Sequence, residues 1–191
     1  MTDSEILAAL DPVIERVETL RRTRDRVILV MDGMSCAGKT TATEALSRRW
    51  DAPVIHMDDF YLPRVLRTPE RLAEPGGNVH YERFLEEVLP HLTAGEPFTY
   101  HLFDCGILDY AGEAHVPAAP VTIVEGAYAM HPRFGAYWDV AMFFSVDPEE
   151  QMARVARREP GKEEDFRTRW IPMENAYHAA FRTRARADFV I

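Results

Sequence analysis

An α/β fold, with a parallel sheet covered by helices on both faces, is predicted by three observations on this 191-residue sequence. Short apolar runs without polar alternation stand at Val27–Met31, Pro53–Met57, Val121–Val124, Val140–Val146 and Phe189–Ile191. Runs of that length read as strands buried on both sides, and the helical patterns between them read as crossovers. The first run leads straight into "DGMSCAGKTT", a glycine-rich bend followed by a helical stripe at Ala42, Ala45, Leu46 and Trp50. The second and third runs end in carboxylates, Asp58 with Asp59 and then Glu125. In open α/β sheets, ligands sit beyond the carboxyl ends of the strands, so these three ends mark the place to look for chemistry.

Gly33-x-x-x-x-Gly38-Lys39-Thr40 has the spacing of the Walker A phosphate loop. Glycines permit positive φ and close approach, so successive amides can point at phosphate oxygens while the next helix presents its positive end. Gly33, Ser35, Ala37, Gly38, Lys39, Thr40 and Thr41 are therefore the expected nucleotide contacts. Lys39 reaches the terminal phosphates, and the Thr40 hydroxyl binds Mg²⁺. The fold expected is a P-loop NTPase three-layer sandwich with a five-stranded parallel sheet. Cys36 reads as a small loop residue, the alternative being a thiol whose pKa the electropositive turn lowers.

Before the first strand, apolar residues 6, 7, 10, 13, 14, 17 and 20 predict a helix over 4–22, with "TDSE" spaced as a capping box and Pro12 placed to kink or restart it. "RRTRDR" reads as its solvated basic end. "EPGGN" breaks the chain at 74–78. A helix follows, marked by Tyr81, Phe84, Leu85, Val88, Leu89 and Leu92, with Asn78 or a near neighbour as cap. Residues 94–120 read as an irregular segment that is functional or holds unrecognised short strands. Asp147 and Pro148 start a helix that places Arg154, Arg157 and Arg158 on one face, spaced either to clamp phosphate or to form a solvated face pairing with Glu149 and Glu150. "EPGKEED" after it reads as the polar tip of a lid spanning about 149–172.

The length suits one domain, 1–191. Net charge is −9, which opposes non-specific binding to nucleic acid or an anionic membrane, so a phosphate ligand needs a local positive site. No apolar run approaches the roughly 18 residues of a membrane span, and the acidic amphipathic start is unlike a signal peptide. A soluble cytoplasmic protein is expected. Cys36 and Cys105 are too few for a disulfide framework, and six of the seven histidines, at 56, 80, 101, 115, 131 and 178, lack metal-ligand spacing.

Taken in order along residues 32–158, "DGMSCAGKTT", "MDDFYLP", "VEGAY" and "RVARRE" resemble the uridine kinase family, in the group that includes phosphoribulokinase and pantothenate kinase. The later "RWIPMENAY" and "ADFVI" resemble the same branch. The resemblance implies an ATP- and Mg²⁺-dependent kinase acting on a hydroxyl of a nucleoside or similar metabolite. In that scheme Asp58 is the general base, Glu125 lies near Mg²⁺, and Arg154, Arg157 and Arg158 belong to a lid over the nucleotide. Tyr61 would shape the acceptor pocket. Uridine kinases carry a histidine and an arginine shortly after an aromatic strand, where this chain reads "YHLFDCGILDY". Tyr100 and Asp104 are the polar groups offered in their place, and carboxylates there favour a neutral or cationic acceptor over a sugar phosphate. An expectation of a different class is a nucleotide-dependent switch that answers to a protein partner. A base at a strand end favours the kinase, since a switch needs only a positioned water.

Overall fold

The computed structural model describes residues 2–191. Its helices, strands and short turns follow the predicted alternation, with β1 Val27–Gly33, β2 Val54–His56, β5 Val121–Glu125, β6 Val140–Phe144 and β7 Phe189–Val190 forming one sheet in the order β2-β5-β1-β6-β7. Neighbouring strands are parallel. Every residue of β1, β5 and β6 is buried, which is why these runs show no polar alternation. β1 runs two residues further than its apolar run, and β5 takes in Glu125; β6 stops at Phe144, short of Val146.

The sheet divides the core in two. Val27, Leu29 and Met31 face α1 Asp3–Ala9, α2 Asp11–Arg21 and α3 Lys39–Trp50. Ile28 and Val30 face the layer containing Phe84, Val88, Tyr128 and Tyr177. This alternation about a strand is what makes three layers. Instead of one helix over 4–22, the N-terminal stripe forms α1 and α2. Thr2 and Glu5 form the capping box, and Pro12 sits in the first turn of α2, where its missing N–H costs nothing.

Three short elements follow β2: 3-10 turns at Met57–Phe60 and Arg64–Leu66, then α4 Pro69–Ala73. The next helix starts at α5 Tyr81–Arg83, passes through a π turn at Phe84–Val88 and ends as α6 Leu89–Ala94. His80, not Asn78, holds its N-cap position, and no side chain caps it. Residues 94–120 contain a separate antiparallel hairpin, β3 Phe98–Asp104 with β4 Asp109–Val116. The expected lid comprises α7 Pro148–Arg158, α8 Glu163–Asp165 and a π turn at Phe166–Trp170 leading into α9 Ile171–Phe181. α10 Thr183–Arg186 then returns the chain to β7. No helix of the described residues is long and apolar enough to cross a membrane.

Candidate active site

Parallel register brings the carboxyl ends level: Met31 lies opposite Glu125, and Glu125 opposite His56. The phosphate loop starts one residue beyond, at Asp32. That side chain is fully buried and accepts from four donors: Gly33 N–H at 2.7 Å, Tyr128 N–H at 3.1 Å, Met130 N–H at 2.9 Å and Tyr177 O–H at 2.7 Å. Four donors compensate the carboxylate for its lost hydration and fix the entry to the loop. Gly33 has φ +133°, and a Cβ there would overlap the Phe144 backbone, so only glycine fits. Gly38 has φ +106° and serves as N-cap of α3, turning the chain so that Lys39, Thr40 and Thr41 open the helix.

Lys39 Nζ donates to Gly33 O at 2.9 Å and Met34 O at 2.8 Å, which curls its ammonium back over the loop. Helices α7 and α9 both dock on the same apex. Gln151 Nε2 donates to Ser35 O at 2.9 Å, and Arg154 Nη1 to Cys36 O at 3.2 Å. From α9, the Glu174 carboxylate accepts the Ser35 N–H at 2.9 Å and also the Ser35 hydroxyl. Arg158 lies beside the Cys36 thiol. Arg157 pairs with Glu150 at 3.2 Å, and Arg154 Nε donates to the same oxygen at 2.8 Å; of the three predicted arginines, Arg154 and Arg158 are the two placed at the loop. The Cys36 thiol is pushed up, contrary to the lowering its surroundings suggested. Burial outweighs the attraction of Arg158 and Lys39.

Asp58 and Asp59 sit on a 3-10 turn rather than on a strand end, yet they still face different neighbours. Asp58 is exposed and accepts the Tyr61 hydroxyl at 2.8 Å. Asp59 accepts from Tyr100 O–H at 3.1 Å, and burial pushes its carboxyl up. Tyr100 is only 2% exposed, so it backs the turn from behind. Arg83, which the sequence reading missed, donates to the Asp59 carbonyl and lies over the rings of Phe60 and Tyr110 at 4.4 and 4.6 Å. It stiffens the turn from the far side. Asp104 is exposed and accepts the Gly106 N–H at 2.6 Å, shaping the hairpin tip.

Tyr128 is 2% exposed, and its backbone N–H donates to Asp32. Burial, then the charges of Glu174, Asp32 and Asp58, push its hydroxyl well up. Glu125 is 7% exposed and receives His56 Nδ1 at 2.7 Å. That hydrogen bond is the first cause raising the imidazole pKa. Thr40 is exposed at the head of α3. One carboxylate and one hydroxyl are hard oxygen donors of the kind Mg²⁺ takes alongside phosphates and waters. Among the described residues no cluster of three or more His, Cys, Asp or Glu could hold a metal without such help. Asp32, Glu174, His56 and Gln151 also escaped the sequence reading. The signals were a polar residue at a buried strand end, and lone polar residues on helices that gave no hint of what they face.

No protein-family model matches the chain, and no curated protein matches it by sequence. Solved structures do match its backbone. A possible uridine kinase from Bacillus stearothermophilus superposes with TM-score 0.65 over 94% of this chain and 99% of its own, at 20% identity. YFH7 from Saccharomyces cerevisiae, a candidate P-loop containing kinase with a circular permutation, gives TM-score 0.68 over 91% and 95%, at 12% identity. TT1252 from Thermus thermophilus gives 0.52 over 87% and 88%, at 19% identity. Together with the sheet order and the loop geometry, these similarities give the chain the P-loop NTPase α/β sandwich fold.

Proposed function

We propose that the protein is an ATP-dependent small-molecule kinase, similar to uridine kinases, that transfers the γ-phosphoryl group to a hydroxyl of a nucleoside or similar metabolite. The observation that carries this reading is that the Gly33–Thr41 loop follows β1 and the Asp58 turn follows β2 at the same carboxyl end of the sheet, where Met31 is level with Glu125 and Glu125 with His56. A phosphate cradle and a carboxylate on one cleft supply the two things phosphoryl transfer asks of a protein, positioning and a proton acceptor. Loop amides and Lys39 hold the phosphates, and Asp58 takes the hydroxyl proton. Arg154 and Arg158 balance charge developing on the transferred group. Thr40 and Glu125 would hold Mg²⁺, which supplies charge neutralisation between the phosphates when bound.

At the turn end of the site Asp58 and Asp104 are the charges felt most strongly, with Lys162 and Arg67 opposing them. Burial, then Asp58 and Asp104, push the Cys105 thiol at the hairpin tip up against the opposing pull of Lys162 and Arg67. A neutral or cationic hydroxyl compound suits that end better than an anionic one. Turnover of ATP across a panel of uridine, cytidine, nicotinamide riboside and ribulose 5-phosphate tests the reading. Stimulation by a nucleoside is expected. Stimulation by the sugar phosphate alone would sink the acceptor class, and stimulation by no small hydroxyl compound would sink the kinase.

A further inference from the structure

Glu174 takes no part in the scheme above, yet it is bound more fully to the loop than any other acid. It is 6% exposed, and both its oxygens are engaged by Ser35, one by the backbone N–H and the other by the hydroxyl. An amide and a hydroxyl converging on an anion is the chemistry by which such loops hold phosphate oxygens. Lys39 stands close enough that its charge draws the Glu174 carboxyl down against the larger upward push of burial. The carboxylate thus occupies the Ser35 amide and hydroxyl, while the Lys39 ammonium acts on it through space and is itself held by the Gly33 and Met34 carbonyls.

We infer that Glu174 is an internal anion held in the phosphate loop, that the terminal phosphates of the nucleotide displace it, and that nucleotide entry thereby frees the start of α9 from the loop. This rests on the nucleotide-binding reading given above. Two anions cannot share the Ser35 amide and hydroxyl in a site shielded from water without strong repulsion, so occupancy is exclusive. Tyr177, one turn further along α9, remains on Asp32 at 2.7 Å and provides the pivot. Release is therefore confined to the helical turn before it, residues 171–174 and the π turn that leads in.

Two measurements on the full chain test this. In the first, a non-hydrolysable ATP analogue is titrated calorimetrically into wild type and Glu174→Gln. The glutamine keeps the shape and an acceptor for Ser35 but removes the charge, so about tenfold tighter binding is expected, the difference between a charge-assisted and a neutral hydrogen bond. In the second, hydrogen exchange of wild type with and without the analogue should show faster exchange over residues 166–174 when it is bound, with 178–181 unchanged. Equal or weaker binding by Glu174→Gln, or unchanged or slower exchange over 166–174, overturns the inference. If the variant fails to fold, the wild-type exchange experiment decides alone. Absence of any analogue binding to wild type overturns the inference and the kinase reading together, whereas binding without these two effects overturns the inference only.

Discussion

Asp58 and Asp59 are adjacent, yet the turn gives them opposite surroundings. Asp58 is exposed toward Tyr61, and Asp59 is turned inward to Tyr100. Asp58→Asn should lower kcat by about 10²–10⁴, the range for a lost general base, while nucleotide affinity holds. Asp59→Asn should cost much less in rate. Steady-state kinetics of the two variants checks the order, and a reversal would move the base to Asp59. Lys39→Ala should abolish turnover and weaken nucleotide binding, since the charge nearest the loop is lost; calorimetry and an ADP-release assay read both effects. Glu125→Gln should raise the Mg²⁺ concentration for half-maximal rate, because an amide is a poorer donor to a hard cation or its waters. An unchanged Mg²⁺ titration would assign Glu125 to holding His56 alone.

At the level of elements, what could be read from the sequence depended on how each segment meets water. β1, β5 and β6 were legible because burial on both faces leaves a plain apolar run, as at Val121–Glu125, and the partly exposed β2 and β7 kept short apolar runs of their own. The hairpin was not. Its β3 buries only Phe98 and Tyr100 fully among seven residues, and β4 buries only Val116, so neither shows a clean period. The loop was legible because its backbone geometry demands glycine at Gly33. Glu174 and Asp32 were not, because their roles depend on groups that only the fold brings near. Asp32 joins β1, the segment after β5, and α9 through its four donors, so removing one should be felt beyond its own element. Tyr177→Phe should cost about 1–3 kcal/mol of stability by leaving a buried carboxylate oxygen short of a donor. Urea denaturation measures this, and a change within error would show that the hydroxyl contributes nothing to joining them.

Across the whole molecule, stability should fall on the acid side for a reason found in the second core. His131 is 2% exposed and stacked against Tyr81 and Tyr177. Burial, helped by the charge of Arg133, lowers its pKa from 6.5 to about 4. Between those values the unfolded chain holds a proton the folded chain refuses, so stability drops as pH falls from 6.5 toward 4, by at most about 3 kcal/mol. Thermal melts of wild type and His131→Phe across that range check it, with a flatter slope expected in the variant. The Asp32–Tyr177 bond spans 145 residues of sequence, and the edge strand β7 pairs only after it. During synthesis, therefore, β1 and the glycine turn emerge long before Tyr177, and until it arrives Asp32 has three of its four donors and the turn lacks one of the groups that hold it in place.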